Sequence, residues 1–496
     1  MLKVFQHDIV DPEKFVITLE LVPRRASFGK SIDTILAIAQ DAFNDGRISA
    51  VSITDNPGGN PSLGPDVLGY EIFKQGLDVI VHFTCRDINR IGMESRALQL
   101  ARMGMKNILA LTGDYSGKGF GGQGAPVFDF DSVILSSMLK KLSEKLIASG
   151  DPEEFFTGCA VSPFKTTEAE CHTQYKKLDK KIEAGASFII TQLGYDVKKF
   201  LELIIYNKKK GRNVPIIGSV YLLSPRSARA MNKGKVPGAY ISDDLFNSIM
   251  KEWEDTRQGL MHAIERTAKL GVILKGLGYI GIHIGGIHRN FKTVGAILDR
   301  MEKIEDSWED FLDDFKDNRK KTYYMFNEQA PMEKPLSVMS RLKYEVVDHF
   351  PYKILKTAHS FFFNKEARLA PLYQKIARFI DKNNKEWLVK YCFEDPIKIL
   401  FLSCQGCGDC GIQHVAFQCP ESGCPKHTRN GPCGGSKDGY CEVYENKHCI
   451  WDRAYTRLKH YNSSETLSEE FVPPRKWELN KTSSWINFHM GRDHQG

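Results

Sequence analysis

Eight cysteines fall within the forty-six residues from Cys404 to Cys449, whereas the preceding 403 residues hold only four. They are Cys404, Cys407, Cys410, Cys419, Cys424, Cys433, Cys441 and Cys449, in the pattern C-x2-C-x2-C-x8-C-x4-C-x8-C-x7-C-x7-C. Thiols at this density either ligate metal or pair as disulfides. The opening MLKVFQHDIVDPEKF lacks the apolar stretch of a secretory signal, so the chain is expected in the reducing cytoplasm, where cysteines serve as ligands or catalysts. The segment therefore reads as metal-binding, with a disulfide framework as the rival.

The opening Cys404-x2-Cys407-x2-Cys410 resembles the run by which ferredoxins grip three irons of one cubane, a more distant cysteine supplying the fourth ligand. That favours a [4Fe-4S] cluster, because structural zinc uses C-x2-C pairs set far apart. Eight thiolates also suffice for two four-ligand sites, so zinc in a second site stays open. His414, His427 and His448 lie among the cysteines as substitute ligands, although each alone reads as a surface residue of a loop-rich domain.

A second set of chemically suggestive residues lies far upstream. Glu20 ends the apolar run I-T-L-E-L-V, where desolvation would raise its pKa and keep it available as a general acid at neutral pH. Pairing with Arg24 or Arg25 would have the opposite effect. Asp114 closes N-I-L-A-L-T-G-D and is followed by the glycine-rich YSGKGFGGQGAP. The letters Gly117-Lys-Gly-Phe-Gly-Gly122 match a dinucleotide fingerprint, but that motif must open a helix directly. Here it runs into Gly124-Ala-Pro, so a flexible loop over a binding site is the better account.

These residues need a frame. From residue 15 to about 290, eight β-branched runs, FVITLELV, SAVSITD, DVIVHFTC, NILALTG, FFTGCAVS, SFIITQLG, VPIIGSVYLL and GIHIGGI, alternate with amphipathic patterns such as SIDTILAIAQDAF and ECHTQYKKLDKKIEAG. Repeated strand–helix alternation predicts an α/β fold, a (β/α)8 TIM barrel, with a doubly wound open sheet as runner-up. In a barrel, functional residues gather at the carboxyl ends of the strands. Glu20, Asp55, His82, Thr84, Asp114, Gln192 and His283 all fall there.

The 496 residues predict two or three domains: a barrel over 1–295, a helical connecting region over 296–395, and a cysteine-rich metal domain over 396–496. The tail from Asn462 reads as an irregular arm. With 42% apolar and 11% aromatic residues the chain is not globally disordered. The glycine-interrupted GVILKGLGYIGIHIGGIH cannot span a membrane. Charge runs such as KKLDKK and NKKKGR read as solvated helical faces, and a net charge of +7 does not require nucleic acid.

The ordered set ITLELVP, VHFTC, LALTGD, KKIEAGASFIITQLGYD and GIHIGG resembles the methylenetetrahydrofolate reductase family over about the first 290 residues. The resemblance implies a barrel with a flavin, FAD or FMN, at the strand ends. It implies Glu20 as the acid that protonates the folate nitrogen, Asp114 as the anion stabilising the cationic iminium form of the substrate near flavin and pterin, and Gln192 as a substrate ligand. It places His82 and Thr84 against the flavin and Lys181 at the flavin's phosphate region. Cys404 to Arg457, with NGPCGG at its centre, is similar to the cysteine-rich partner of these reductases in anaerobes, which implies iron–sulfur chemistry with zinc sometimes present.

Two departures stand out. Family members carry F-E-F-F-P where this chain has L-E-L-V-P, and a His-Phe-Tyr-Thr-Leu type run where this chain has His283-Ile-Gly-Gly-Ile. The lost bulk puts NAD(P)H as direct donor in question. The reading is a flavin-dependent oxidoreductase of one-carbon metabolism, making 5-methyltetrahydrofolate from 5,10-methylenetetrahydrofolate, fed by ferredoxin or an associated redox subunit through its metal domain, as a homo- or hetero-oligomer. The alternatives are an NAD(P)H-dependent reductase with structural zinc only, and a non-catalytic assembly module.

Overall fold

The computed structural model describes residues 4–316, 322–326 and 350–496. Eight parallel strands form where the β-branched runs predict them: β1 Val16–Leu21, β2 Ala50–Ile53, β3 Val79–Thr84, β4 Asn107–Leu111, β5 Phe156–Val161, β6 Phe188–Thr191, β7 Ile216–Tyr221 and β8 Gly281–Gly285. Each pairs with its neighbours in chain order and β8 returns to β1, so the sheet closes into a barrel with no free edge. Closure rules out the open sheet. The intervening helices turn apolar stripes inward; in Lys30–Asp45 the buried positions are Ile32, Ile35, Ile38, Ala39 and Ala42, spaced three and four apart.

Side chains two apart share one face of a strand, and this alternation layers the barrel interior. Val16, Ala50, Ile80, Leu109, Phe188, Ile190 and Ile217 cluster with Phe5 of the short helix Val4–Asp8. Phe156 stacks on Phe188 with centroids 5.1 Å apart. A Cβ at Gly158 would lie 2.2 Å from the Phe188 ring, so only glycine fits there. One step along, His283 Nδ1 lies 2.8 Å from Thr18 Oγ1 and its Nε2 3.3 Å from Ser52 Oγ. The interior thus changes from apolar to polar toward the strand carboxyl ends.

The glycine-rich stretch after β4 makes a two-stranded hairpin, Lys118–Gly119 with Gly122–Gln123, and opens no helix. Beyond the barrel, helices Phe350–Phe362, Ala370–Lys382 and Asp395–Leu402 lead into the cysteine segment. The proline-bearing NEQAPMEKPLS lies outside the described residues. The tail packs rather than fraying: Trp477 Nε1 donates to Asp129 at 2.8 Å, and Arg90 Nη2 donates to the Arg475 carbonyl at 2.6 Å. No described helix is long and apolar enough to cross a membrane.

The cysteine segment lies on the loops that follow β4 and β5. Asp131 Oδ1 caps the helix Ser132–Ala148 by accepting from Val133 N and Ile134 N, while its Oδ2 accepts from Arg429 N at 3.1 Å and Asn430 N at 2.9 Å. Burial works against this carboxylate, but Lys177 and the N–H groups of Ile134, Asn430 and Arg429 outweigh it and hold its pKa below the usual range. Lys165 Nζ donates to the Gly434 carbonyl at 2.7 Å, and Lys177 Nζ to the Gly431 carbonyl at 3.1 Å. Gly431 itself has φ +124°, and a Cβ there would sit 2.8 Å from that of Lys177.

The KKLDKK run corrects an expectation. Read as a solvated face, it lies in the helix Glu168–Glu183 with Lys176, Lys177, Lys180 and Lys181 all buried. The cysteine segment covers the outer side of this helix: Tyr455 and Lys459 of the helix Ile450–His460 both donate to Glu168, and His172 stacks on Tyr455 at 5.0 Å.

Replacing Asp131 by Ala removes a helix cap and leaves two buried N–H groups of the cysteine segment without an acceptor. The expected loss is about 2–4 kcal/mol of unfolding free energy, read from denaturant melts. An unchanged midpoint would show that the junction is held elsewhere.

Candidate functional site

The strand carboxyl ends bring together most of the residues expected there. Glu20 lies near the end of β1 and makes no hydrogen bond or ion pair with any described residue; neither Arg24 nor Arg25 pairs with it. Burial therefore acts unopposed and raises its pKa to about 7. A Cβ at Gly285 would stand 3.1 Å from Glu20 Oε2 and 2.9 Å from the Tyr221 ring, so this glycine lets carboxyl and phenol face the end of β8 at close range. Burial, then the Glu20 charge, pushes the Tyr221 phenol up to about 12. The Gly285–Gly286 pair, which reads from sequence as lost bulk, is thus space taken up by a tyrosine of the neighbouring strand.

His82 and His283 sit deeper. Burial lowers the pKa of His82 to about 4, with Asp55 opposing, and that of His283 to about 3, so both are neutral imidazoles at neutral pH. His82 Nε2, Thr54 Oγ1 and Ser162 Oγ, all near strand carboxyl ends, are buried with no hydrogen-bond partner among the described residues. Thr84 is positioned by Asp55, whose Oδ2 accepts from Thr84 N at 3.1 Å and Thr84 Oγ1 at 3.0 Å. Asp55 in turn is held by Arg96 Nη1 at 2.8 Å. This makes Asp55 a support rather than a free carboxylate.

Asp114 Oδ2 accepts from Gly58 N at 2.9 Å. Next to it Lys426 Nζ, from the cysteine segment, donates to the Gly113 carbonyl at 2.8 Å. Gln192 folds its Oε1 onto Leu193 N at 2.8 Å. Its Nε2 and the Gly434 carbonyl would both lie 3.1 Å from a Cβ at Gly238. Lys181 stands apart from the interior set: it lies on the helix after β5, donates to the Ala160 carbonyl at 2.6 Å, and burial lowers its pKa to about 8.

All twelve cysteines are free thiols. The eight clustered ones divide into two quartets, each lining its own small cavity. Cys404, Cys407, Cys410 and Cys419 line one, with Lys398, Leu402, Asp409 and Glu421. Cys424, Cys433, Cys441 and Cys449 line the other, with Lys426, Glu442 and Trp451. Burial, then neighbouring thiols, raises the pKa of Cys407. Burial pushes Cys433 up to about 12, against the pull of Lys426. Among the described residues no three His, Cys, Asp or Glu side chains converge to chelate a single ion. His414, His427 and His448 line neither cavity; His448 stacks on Tyr440 at 4.2 Å, and His414 Nε2 lies 2.9 Å from His494 Nε2.

The second quartet is the one beside the barrel. Lys426 of its wall reaches Gly113 next to Asp114, and Gly434, adjoining Cys433, approaches Gln192. Sequence reasoning singles out NGPCGG but not its partners Asp131, Lys165 and Lys177. No local signal identifies them, because each is an ordinary cap or lysine until the two segments meet.

A (β/α)8 barrel with a desolvated carboxyl at its mouth, joined to a cysteine-rich segment with two four-thiol cavities, defines a two-part α/β protein. The family model for methylenetetrahydrofolate reductase matches residues 6–301, and the model described as methylene-tetrahydrofolate reductase C terminal matches 387–478. The chain belongs to the methylenetetrahydrofolate reductase family. It is 23% identical over 305 residues to methylenetetrahydrofolate reductase 1 of Schizosaccharomyces pombe, covering 61% of this chain and 48% of that protein. It is 32% identical over 193 residues to methylenetetrahydrofolate reductase 2 of Saccharomyces cerevisiae, covering 36% and 29%. The chain thus spans about half or less of the length of these curated relatives. A Clostridium thermocellum protein solved with two copies of 5-methyl-5,6,7,8-tetrahydrofolic acid aligns with 61% of this chain and 99% of its own, at TM-score 0.42 and 14% identity.

Glu20 is expected to titrate near pH 7, protonated below and ionised above. Carboxyl 13C shifts of glutamate-labelled protein should show one resonance with that midpoint, absent in Glu20→Gln. A midpoint near 4.5, the ordinary value, would show that the carboxyl is solvated.

Proposed function

We propose that the protein reduces 5,10-methylenetetrahydrofolate to 5-methyltetrahydrofolate, by hydride transfer from a flavin at the strand carboxyl ends, with electrons arriving through the cysteine segment. The observation that carries the reading is Glu20: a carboxyl raised to about 7 and without a hydrogen-bond or ion-pair partner among the described residues is a general acid in the right place within a family of folate reductases.

The residues present fit a flavin. The unpartnered His82 Nε2 and Ser162 Oγ are buried polar atoms that a heteroaromatic ring bearing nitrogen and oxygen would satisfy. His82 and Thr84 would hold its ring. Lys181, lowered by burial, is a cation that a phosphate would stabilise. The quartets fit iron–sulfur cubanes: each cavity is lined by four thiols, the ligand number of one cubane. When bound, the flavin would supply hydride and the clusters single electrons.

The chain's own residues then divide the remaining work. Glu20 gives its proton to the folate nitrogen as the five-membered ring opens. Asp114, oriented by Gly58 N, stabilises the iminium cation, since a fixed anion near developing positive charge lowers its energy. Gln192 binds the substrate's pterin. The cysteine segment excludes water from the β4–β5 side of the mouth. The alternative of a non-catalytic assembly module finds less support, since Glu20, Asp114 and Gln192 all remain at the strand ends; an NAD(P)H-dependent reductase with structural zinc only is separated from the proposal by its iron content.

The test is anaerobic. Dithionite-reduced protein mixed with methylenetetrahydrofolate should show rapid flavin reoxidation, and the same sample should hold about eight irons per chain with matching acid-labile sulfide, the content of two cubanes. Flavin that ignores the folate, or no flavin, would favour an assembly module. Cys407→Ala and Cys433→Ala should each lose about half the iron, and full retention in either would sink that ligand assignment. Glu20→Gln should slow reoxidation by folate at least a hundredfold while dithionite still reduces the flavin; an unchanged rate would remove Glu20 from the acid role.

A further inference from the structure

Helix Ala370–Lys382 and the helical run over 386–402, π-helical over Val389–Glu394, expose many large apolar side chains. Phe379, Trp387, Tyr391 and Phe393 are 67%, 55%, 60% and 70% exposed, and Ile397 and Leu400 are 56% and 77% exposed. Large apolar side chains exposed at this density along one stretch of chain mark an interaction site. Aromatic residues dominate it, as they do the centres of protein interfaces.

Two observations identify what it takes. The first is position. Helix Asp395–Leu402 shows Ile397 and Leu400 to solvent while Lys398 and Leu402 line the cavity of Cys404, Cys407, Cys410 and Cys419. Cys404 follows this helix directly and donates its N–H to the Lys398 carbonyl. One helix, about 10 Å across with its side chains, therefore separates the apolar face from the first quartet. The second quartet is the one that adjoins the barrel, so the first is the outer of the two.

The second observation is charge. Across residues 350–402 the exposed charged side chains are Lys353, Lys356, Lys365, Arg368, Lys375, Arg378, Lys382 and Lys385, against Glu366 alone. The acidic groups of the same stretch are engaged: Asp381 pairs with Arg492, Asp395 with Lys390, Glu394 with Lys398, and Glu386 accepts from Ser483 N. An exposed apolar stretch that carries this excess of basic side chains, Lys382 and Lys385 lying within it, attracts an acidic partner and orients it on approach.

We propose that this face docks an acidic one-electron carrier protein, which passes electrons singly to the outer quartet. The inference rests on the reading of the quartets as iron–sulfur sites. Each transfer oxidises the carrier by one electron and reduces the outer site by one, and two such transfers match the two-electron demand of one hydride.

The test uses the full chain and a reduced, acidic [4Fe-4S] ferredoxin as probe, with reduction of the protein followed by stopped-flow absorbance. The double variant Lys382→Glu/Lys385→Glu should slow reduction by ferredoxin about tenfold or more and flatten its dependence on salt. Phe393→Glu/Leu400→Glu should slow it at all salt concentrations. Both variants should keep wild-type rates with dithionite and wild-type reoxidation by the folate. Failure of the dithionite and folate arms in the wild-type protein would count against the redox reading itself, whereas wild-type ferredoxin rates in both variants would overturn the docking face alone. A dimer by sedimentation that Phe393→Glu/Leu400→Glu dissolves would assign the face to a second copy. Amide protection over 370–402 in the free monomer, lost when residues 327–349 are deleted, would assign it to this chain; either result overturns the proposal.

Discussion

The structure depends on one buried helix. Glu168–Glu183 belongs to the barrel, yet it has almost no solvent face, because the cysteine segment lies over it. Its lysines cannot be left without partners in such a place. Three find them in backbone carbonyls or a nearby carboxylate, Lys177 in Gly431, Lys181 in Ala160 and Lys176 in Glu465, and burial lowers the pKa of the fourth, Lys180, to about 8. With Lys165 on Gly434 and Asp131 on the N–H groups of Arg429 and Asn430, donors and acceptors of the barrel meet backbone groups of the cysteine segment that would otherwise be buried unpaired. Separation of the two parts would expose this network, so their relative position is fixed by hydrogen bonding as much as by apolar contact.

That fixed position gives the thiol quartets an order. Cys424, Cys433, Cys441 and Cys449 surround a cavity whose wall includes Lys426, and Lys426 bonds to Gly113 beside Asp114. Cys404, Cys407, Cys410 and Cys419 surround a cavity walled by the helix Asp395–Leu402. Asp409, between two thiols of this outer quartet, pairs with Arg429, and the next residue's N–H as well as that of Arg429 reaches Asp131 of the barrel. A short chain of polar contacts therefore ties outer cavity, inner cavity and barrel mouth into one assembly.

The barrel mouth shows how a local departure can be absorbed. Gly285 and Gly286 remove bulk from the end of β8, and the Tyr221 ring of β7 occupies the space close to Glu20. The apolar setting of the carboxyl survives, and with it the raised pKa. Arg24 and Arg25 lie past the strand end and are exposed, and among the described residues Glu20 pairs with neither.

The strands were legible in the sequence because each is a short β-branched run buried on both faces, a pattern that parallel pairing in a barrel demands locally. Glu20, His82, Thr84, Asp114 and Gln192 were legible for the same reason: they are polar breaks at the ends of those runs. The division of eight thiols into two quartets was not, since Cys419 and Cys424 are only five positions apart yet line different cavities. Nor was the burial of KKLDKK, which has the composition of a solvated helix. Strand identity and strand-end chemistry follow from neighbours in sequence, so the sequence by itself determined them. Which lysines leave water depends on contacts between residues some 250 positions apart, such as Lys177 with Gly431, and which thiols share a cavity depends on how the cysteine segment itself folds, so only the tertiary structure decides those.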